Sequence, residues 1–513
     1  MTGNVWVALP LACLAGGAVG LYLFSRLITA RNEFLALLTA LVFAAGLWTV
    51  VPLLGMTRLA LKTGEELPVW GHLGPGGAFL RADPGALVLA SVALGLGMLV
   101  ALYSGRYVAL DHRRETYYPL LLLLVAGLVG VVLAADLFSL YMYCELMSAA
   151  VYVLVAFRRR TDTAVEAGFK YLVMGSLGTI IILMGISFVF RETGQLVLPQ
   201  VTGSPESLDL GRSMNTVTGP WTRVGLACLL VGLSVKSGIV PVHTWLPDAH
   251  GRAPGTVSAM LSGVVVQSAF YAMLKVTLGL GFPARMLGTW LIVLSLLSMT
   301  LGNGLALVQT NGKRLLAYST IAHTGYVMLG VGIGLRHGSS AAIQAGFFLI
   351  LAHAAMKGLA FLCKGACHFY CGATEIVDLR GMAARLPMVT GAFAVALLGL
   401  AGVPPLAGFT AKWFILTRAL RPRDLLVSIG VGAFLLNGLV SLGYYLPLVR
   451  TLSSQKADLK GDASPAATLI PTSRWMTFPL LVLAGMVVTM GVYPGPWLTW
   501  VADAGAYLLS VGR

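Results

Sequence analysis

The sequence predicts an all-α polytopic membrane protein. Of its 513 residues, 57% are hydrophobic and only 11% are charged, against about 25% charged in a soluble globular chain. The apolar residues also fall in runs close to the roughly 20 that carry a helix across a bilayer. The net charge of +15 does not point to nucleic acid, because Lys and Arg sit in short links between apolar runs, as membrane topology requires.

These runs give about 14 spanning helices. The first two lie near Val5–Leu27 and Phe34–Gly55. No basic segment precedes the first, so it reads as a retained helix and not a cleaved signal peptide. Met56–Asp83 reads as a polar loop. Helices follow near Gly85–Ser104, Tyr118–Leu133 and Leu137–Phe157, the last two as a tight hairpin closed by Arg158–Arg160. The sixth spans Ala164–Phe190, and Glu192–Pro220 is an extramembrane link rich in Gly, Ser and Pro. The remaining helices are placed near Arg223–Val242, Thr256–Leu280, Met286–Val308, Leu315–Leu335, Ala341–Phe369, Val389–Leu420, Asp424–Val449 and Trp475–Leu509, with a last polar loop at Asp458–Ser473. Lys and Arg are modestly in excess on the loops that place both termini outside. Cys363, Cys367 and Cys371 recur every four residues beside His368. That spacing suits a metal less well than small residues facing a neighbouring helix, and the six cysteines form no secreted disulfide framework.

The most informative stretch is Leu233–Ala253, LSVKSGIVPVHTWLPDAHGRA. Lys236 lies in an apolar run, and a charge at bilayer depth costs roughly 2.5–3.5 kcal/mol on insertion scales. Gly238 and Pro241 follow. Proline removes a backbone donor, so the helix should break there. A Lys beside a broken helix fits an ion path; snorkelling explains a Lys at a helix end but not the break or the His243, Asp248 and His250 that follow. A second stretch, GLAGVPPLAGFTAKWFIL, repeats the logic: Gly402, Pro404, Pro405 and Gly408 interrupt an apolar run and Lys412 follows. Paired interruptions about five helices apart suggest two five-helix units. The Lys precedes one break and follows the other, which suggests that the units are inverted. The corresponding division is residues 1–117 for helices 1–3, 118–282 and 283–452 for the two units, and 453–513 for the polar loop and last helix.

Other ionisable groups fall inside the runs. Glu145 needs a cation, which Lys236 or Lys170 could supply; Lys170 is close enough to a helix end to snorkel instead. Gln267 is a neutral relay candidate at mid-depth, and Lys275, near the helix end, serves function or snorkels equally well. His323, with Ser319 one turn earlier, is a proton relay or a satisfied structural histidine. His353, Lys357 and Lys364 share one face of a helix, which should turn to the bundle interior. Gln309, Lys313 and Arg314 read as an interfacial anchor. No glycine-rich phosphate loop, haem or iron–sulfur cysteine spacing, or nucleophile triad is present.

At these residues the chain resembles the antiporter-like subunits shared by respiratory complex I, Mrp-type sodium/proton antiporters and membrane-bound hydrogenases. The strings that carry the resemblance are YCELMSAAVYVL, EAGFKYLVMGSLGT, VKSGIVPVHTWLPDAHGRAPGTVSAMLSG, QTNGKRLLAYSTIAHTGYVMLG and LAGVPPLAGFTAKWF, in the family's order between Tyr141 and Leu420. The resemblance implies 14 helices with two inverted five-helix repeats. It implies that Glu145 and Lys236 pair, that His323 and Lys357 lie on a central hydrophilic axis, and that Lys412 is the terminal lysine. Gln267 departs from the family, which usually has a Lys there; either water bridges the gap, or Lys275 or a histidine substitutes, or the subunit conducts poorly. The expected function is a proton-translocating membrane subunit of a complex I-like NADH:quinone oxidoreductase or related redox-driven complex. The alternatives are a Na+/H+ antiporter subunit of Mrp type or a non-conducting structural subunit. The chain is expected to carry no cofactor itself, with any quinone, flavin or iron–sulfur centre in partner subunits. Its expected partners are other membrane subunits, the lipid bilayer and H+ or Na+, in a bacterial or archaeal inner or plasma membrane.

Overall fold

A computed structural model describes residues 4–28, 31–71, 79–111, 113–158, 162–198, 219–420, 424–454 and 469–511. Parts of the three predicted polar loops, and Arg159 and Arg160, therefore lie outside the described residues. The described chain is almost entirely helical. The first six helices are α1 (Leu9–Leu27), α2 (Asn32–Thr63), α3 (Pro84–Tyr107), α4 (Arg114–Leu133), α5 (Leu137–Val155) and α6 (Asp162–Thr193). Then come α7 (Pro220–Lys236), α8 (Trp245–Arg252), α9 (Gly255–Met260), α10 (Val266–Gly279), α11 (Ala284–Leu307), α12 (Gly312–His337) and α13 (Ser340–Cys371). The last are a short α14 (Met382–Arg385), α15 (Pro387–Ala401), α16 (Ala407–Ala419), α17 (Leu425–Ser453), α18 (Arg474–Val492) and α19 (Gly495–Val511). One π-helical turn, Leu261–Val265, joins α9 to α10 without a break. Among the described residues, eleven helices are long and apolar enough to cross a membrane. The chain is an integral membrane protein.

Two segments form the centre. Gly255–Gly279 and α13 are buried along their whole apolar windows, whereas α1, α17 and α18 keep most of theirs on the outside. Helix α13 packs against α3, α9, α12, α15, α16, α18 and α19. Small residues let backbones meet closely, as expected where helices associate without water to exclude. Gly185 and Gly225 face each other between α6 and α7, and Gly288 and Gly332 do so between α11 and α12.

The structure corrects three expectations about elements. Met56–Asp83 is not simply a loop: α2 continues to Thr63, and strands β1 (Val69–Gly71) and β2 (Phe79–Arg81) pair antiparallel with Val69 opposite Arg81. The hairpin caps the α4–α5 link, where the Ala135 amide donates to the Phe79 carbonyl at 2.8 Å and the Phe79 amide to Asp136 Oδ2 at 2.8 Å. Trp475–Leu509 is two helices, because Pro494 and Pro496 flank Gly495 and remove backbone donors. The seventh helix ends at Lys236, before Gly238 and Pro241, and the chain resumes helix at Trp245.

Both expected breaks are present. At the first, Gly238 takes a left-handed φ of 59°, and the Trp245 indole N–H donates to the Val235 carbonyl at 2.8 Å. At the second, Gly402 takes φ 90° after α15, and α16 packs so tightly that a Cβ at Gly408 would collide with the Gly399 carbonyl oxygen. Gly408→Ala should therefore force α15 and α16 apart and cost about 1–3 kcal/mol. A thermal unfolding series in detergent checks this; an unchanged midpoint would show that the contact is not limiting.

Candidate ion path

Four groups of buried and half-buried polar side chains lie between and around the two breaks. The first joins α5 and α7. Lys236, only 1% exposed, donates from Nζ to Ser148 Oγ at 2.6 Å and lies 6.0 Å from the centre of the Tyr152 ring. Glu145 stands one turn before Ser148 on the same face of α5 and is half-buried. Among the described residues no ion pair joins Glu145 to either expected lysine. Lys170 is half-exposed and pairs with Glu166 at 2.7 Å and, more distantly, with Asp248 at 3.8 Å. Asp248 also pairs with Arg314 at 3.2 Å. Lys170 therefore belongs to the solvated mouth of the bundle, where Glu166 on its own helix reaches it before any residue of α5 can. His243 is half-buried in the first break, and its Nδ1 has no partner; buried His250 stacks on Phe361 with ring centroids 4.8 Å apart.

The second group centres on the π turn. Ser262 Oγ and Thr320 Oγ1 lie 2.6 Å apart, and the next turn of α12 brings Thr324 Oγ1 to Gln267 Nε2 at 3.3 Å. Gln267 is fully buried, and its Oε1 has no hydrogen-bond partner. π turns concentrate at functional sites. The turn also leads into the third group, because His353 Nε2 contacts the Ser262 carbonyl at 3.2 Å.

The third group sits between α12 and α13. Lys357 donates to the Leu316 carbonyl at 2.7 Å and to Ser319 Oγ, and Tyr445 from α17 reaches the same Ser319 at 2.7 Å. The rings of His353 and His323 lie 5.3 Å apart, and those of His323 and Tyr326 5.4 Å apart. Both nitrogens of His323 are buried without a hydrogen-bond partner. The Tyr326 ring in turn lies 5.1 Å from Lys412 Nζ, the fourth group, which donates to the Leu400 and Ala401 carbonyls at 3.1 Å each. The structure thus brings Gln267, His323, His353, Lys357 and Lys412 into one row from the bundle centre to the second break. Lys364, at the far end of α13, instead binds the Ala373 and Thr374 carbonyls at 2.8 and 3.0 Å.

Lys275 does not snorkel. It is 3% exposed and pairs with fully buried Asp83 at 3.2 Å, with the Val132 carbonyl at 2.7 Å. Asp83 also accepts from the Tyr271 hydroxyl and from the Ala86 amide at 2.8 Å, capping α3. The sequence did carry a signal for Asp83, since Asp before Pro84 is a helix-start pattern; nothing local paired it with a residue far along the chain. Ser148, Ser262, Thr320 and Thr324 were missed for a related reason: a hydroxyl in an apolar run has no sequence signature until its helix neighbour is known.

Breaking a buried ion pair by removing one partner costs about 3–5 kcal/mol. Asp83→Ala should therefore destabilise the chain strongly, and the double change Asp83→Ala with Lys275→Met should recover most of the loss. Thermal unfolding of both variants in detergent is the measurement; equal losses would mean that the cap on α3, not the charge pair, matters.

The comparisons with known proteins agree with the helical membrane architecture. The family described as "NADH:quinone oxidoreductase/Mrp antiporter, TM" matches residues 134–436, more than half of the chain. NADH-quinone oxidoreductase subunit N of Geotalea uraniireducens is 32% identical over 495 residues, covering 96% of this chain and 97% of that protein. Subunit N 1 of Sorangium cellulosum is 32% identical over 446 residues, 84% of each chain. A chain of an archaeal membrane-bound sulfane sulfur reductase superposes with a TM-score of 0.83 at 26% identity, covering 99% of this chain and 97% of that one. A chain of respiratory complex I from Thermus thermophilus gives 0.73 at 27%, covering 96% and 99%. A chain of the Mrp complex from Dietzia shares the fold, with a TM-score of 0.81 at 21% identity over 99% and 100%. The chain belongs to the NADH:quinone oxidoreductase/Mrp antiporter membrane family.

Proposed function

We propose that this chain is a proton-translocating membrane subunit of a complex I-like NADH:quinone oxidoreductase or a related redox-driven complex. The observation that carries the reading is the row from Gln267 through His353, Lys357 and His323 to Lys412, with Lys357 buried, Lys412 half-buried, and both bonded only to neutral oxygens. A buried cation without a counter-ion responds strongly to nearby charge, which is what a proton relay requires. Protons enter at Glu145 and Lys236, cross by the row, and leave from Lys412. Glu145 is the switch: bringing its carboxylate closer to Lys236, or moving it away, changes the field that Lys236 feels and drives its proton inward or reloads it.

Gln267 holds the place between the two halves. It binds no proton itself; its partnered amide and unpartnered carbonyl oxygen suit it to order a water between Lys236 and the row. The architecture behind this reading has 14 spanning segments: the eleven long apolar helices, in which α9–α10 count as one, with α7–α8 and α15–α16 as one each and α12 as a further span, α19 not being counted. Residues 118–282 and 283–452 form two inverted five-helix repeats around the two breaks, 1–117 precede them and 453–513 follow. Both termini lie outside a prokaryotic inner or plasma membrane, and redox centres sit in partner subunits.

Pumping by the assembled complex in sealed vesicles tests the reading. Lys412→Ala and Glu145→Ala should each lower proton transport by about tenfold or more, as expected for loss of a proton-transferring group, while assembly is retained. Gln267→Leu should lower it also, because a leucine orders no water. Full pumping in Lys412→Ala would leave a structural role only; transport that follows a sodium gradient in place of protons would assign Na+/H+ exchange.

A further inference from the structure

Away from the candidate path, a half-open cavity of about 890 Å3 lies between α1, α4 and α5. Its walls are apolar: Val19 and Leu23 from α1, Leu120 and Leu123 from α4, and Val153 from α5. Its head is polar, formed by Arg113, Thr116 and the pair Arg158–Asp111, whose guanidinium and carboxylate meet at 2.9 Å. Arg158 is thus neutralised within the rim. Arg113 is exposed, holds a left-handed φ of 62°, and makes no ion pair among the described residues. The head of the cavity therefore carries an uncompensated positive charge, and its body carries none.

The depth matters as much as the charge. From Arg113 to Leu123 is ten residues of α4 and its cap, or about 15 Å at 1.5 Å per residue. That is about half of a ~30 Å hydrocarbon core. The cavity is one leaflet deep, with a cation at the level where a headgroup sits and apolar walls where acyl chains run. A membrane helix of a protein neighbour would have no use for a charge at one end of a slot that stops halfway.

We propose that this cavity is a binding site for one phospholipid with an anionic headgroup, the phosphate held by Arg113 and one acyl chain laid between α1, α4 and α5. Basic pockets between membrane helices bind such headgroups. The site does not depend on whether the chain moves protons.

The test uses the full chain, with the partners it carries, in vesicles of mixed phosphatidylglycerol and phosphatidylethanolamine, followed by gentle extraction and native mass spectrometry of the lipid retained. The wild type should retain phosphatidylglycerol in preference. Arg113→Asn, which tolerates the left-handed backbone, should lower that preference about fivefold, the worth of one basic residue near an anionic headgroup. Arg113→Lys should keep it. Leu120→Trp, which fills the cavity below the headgroup, should lower retention of the bound lipid with Arg113 intact. Unchanged phosphatidylglycerol retention in both Arg113→Asn and Leu120→Trp would overturn the proposal. So would a photo-reactive side chain at position 123 that cross-links to a protein subunit and not to lipid.

Discussion

The structure depends on one constraint: inside a bilayer a backbone carbonyl or a charge has no bulk water to turn to, so helix ends and lysines must find partners in the protein. The lysines enclosed in the bundle show how this is met. Lys275, Lys357, Lys364 and Lys412 each donate to a backbone carbonyl of another segment, namely Val132, Leu316, Ala373 with Thr374, and Leu400 with Ala401. The last case links charge to fold. Ending α15 at Ala401 frees the carbonyls of its final turn, and Lys412, one turn into α16, satisfies them. The second break and its lysine are a single unit, each supplying what the other lacks.

The cations inside the bundle fall into two kinds. Lys275 is anchored by the carboxylate of Asp83, which also holds Tyr271 and the first turn of α3. That cluster ties α3, α4 and α10 together beside the hairpin. Lys236, Lys357 and Lys412 are held by hydroxyl or carbonyl oxygens only. The first arrangement fixes a position through two opposite charges that are costly to separate; the second leaves the lysine open to the field of its neighbours. Fully buried Gly255–Gly279 carries one cation of the first kind, Lys275 on Asp83, and eight residues before it the neutral Gln267, turned to α12.

Much of this was legible in the chain. Runs of apolar length mark spans, and a Gly–Pro interruption marks a break, because both follow from backbone hydrogen bonding that each segment must settle for itself. Lys236 and Lys412 were conspicuous as charges beside such breaks, and the spacing of His353, Lys357 and Lys364 showed their common face. The misreadings have a shared origin. Pro494 lies between apolar residues and leaves one continuous run, and the strands Val69–Gly71 and Phe79–Arg81 are too short to leave a periodic trace. Lys170 and Lys275 looked alike from local sequence, yet one is half-exposed beside Glu166 and the other is enclosed with Asp83.

The sequence by itself determined that the chain lies in a membrane and that two of its helices are broken beside a lysine. These are local properties, set by the hydropathy and hydrogen-bonding capacity of consecutive residues. Only the tertiary structure decided the partners: Ser148 and not Glu145 for Lys236, Thr324 for Gln267, Asp83 for Lys275, and the Leu400 and Ala401 carbonyls for Lys412. The reason is that a hydrogen bond forms over about 3 Å, whereas most of these partners are separated by dozens of residues or more, and it is helix packing alone that closes the distance.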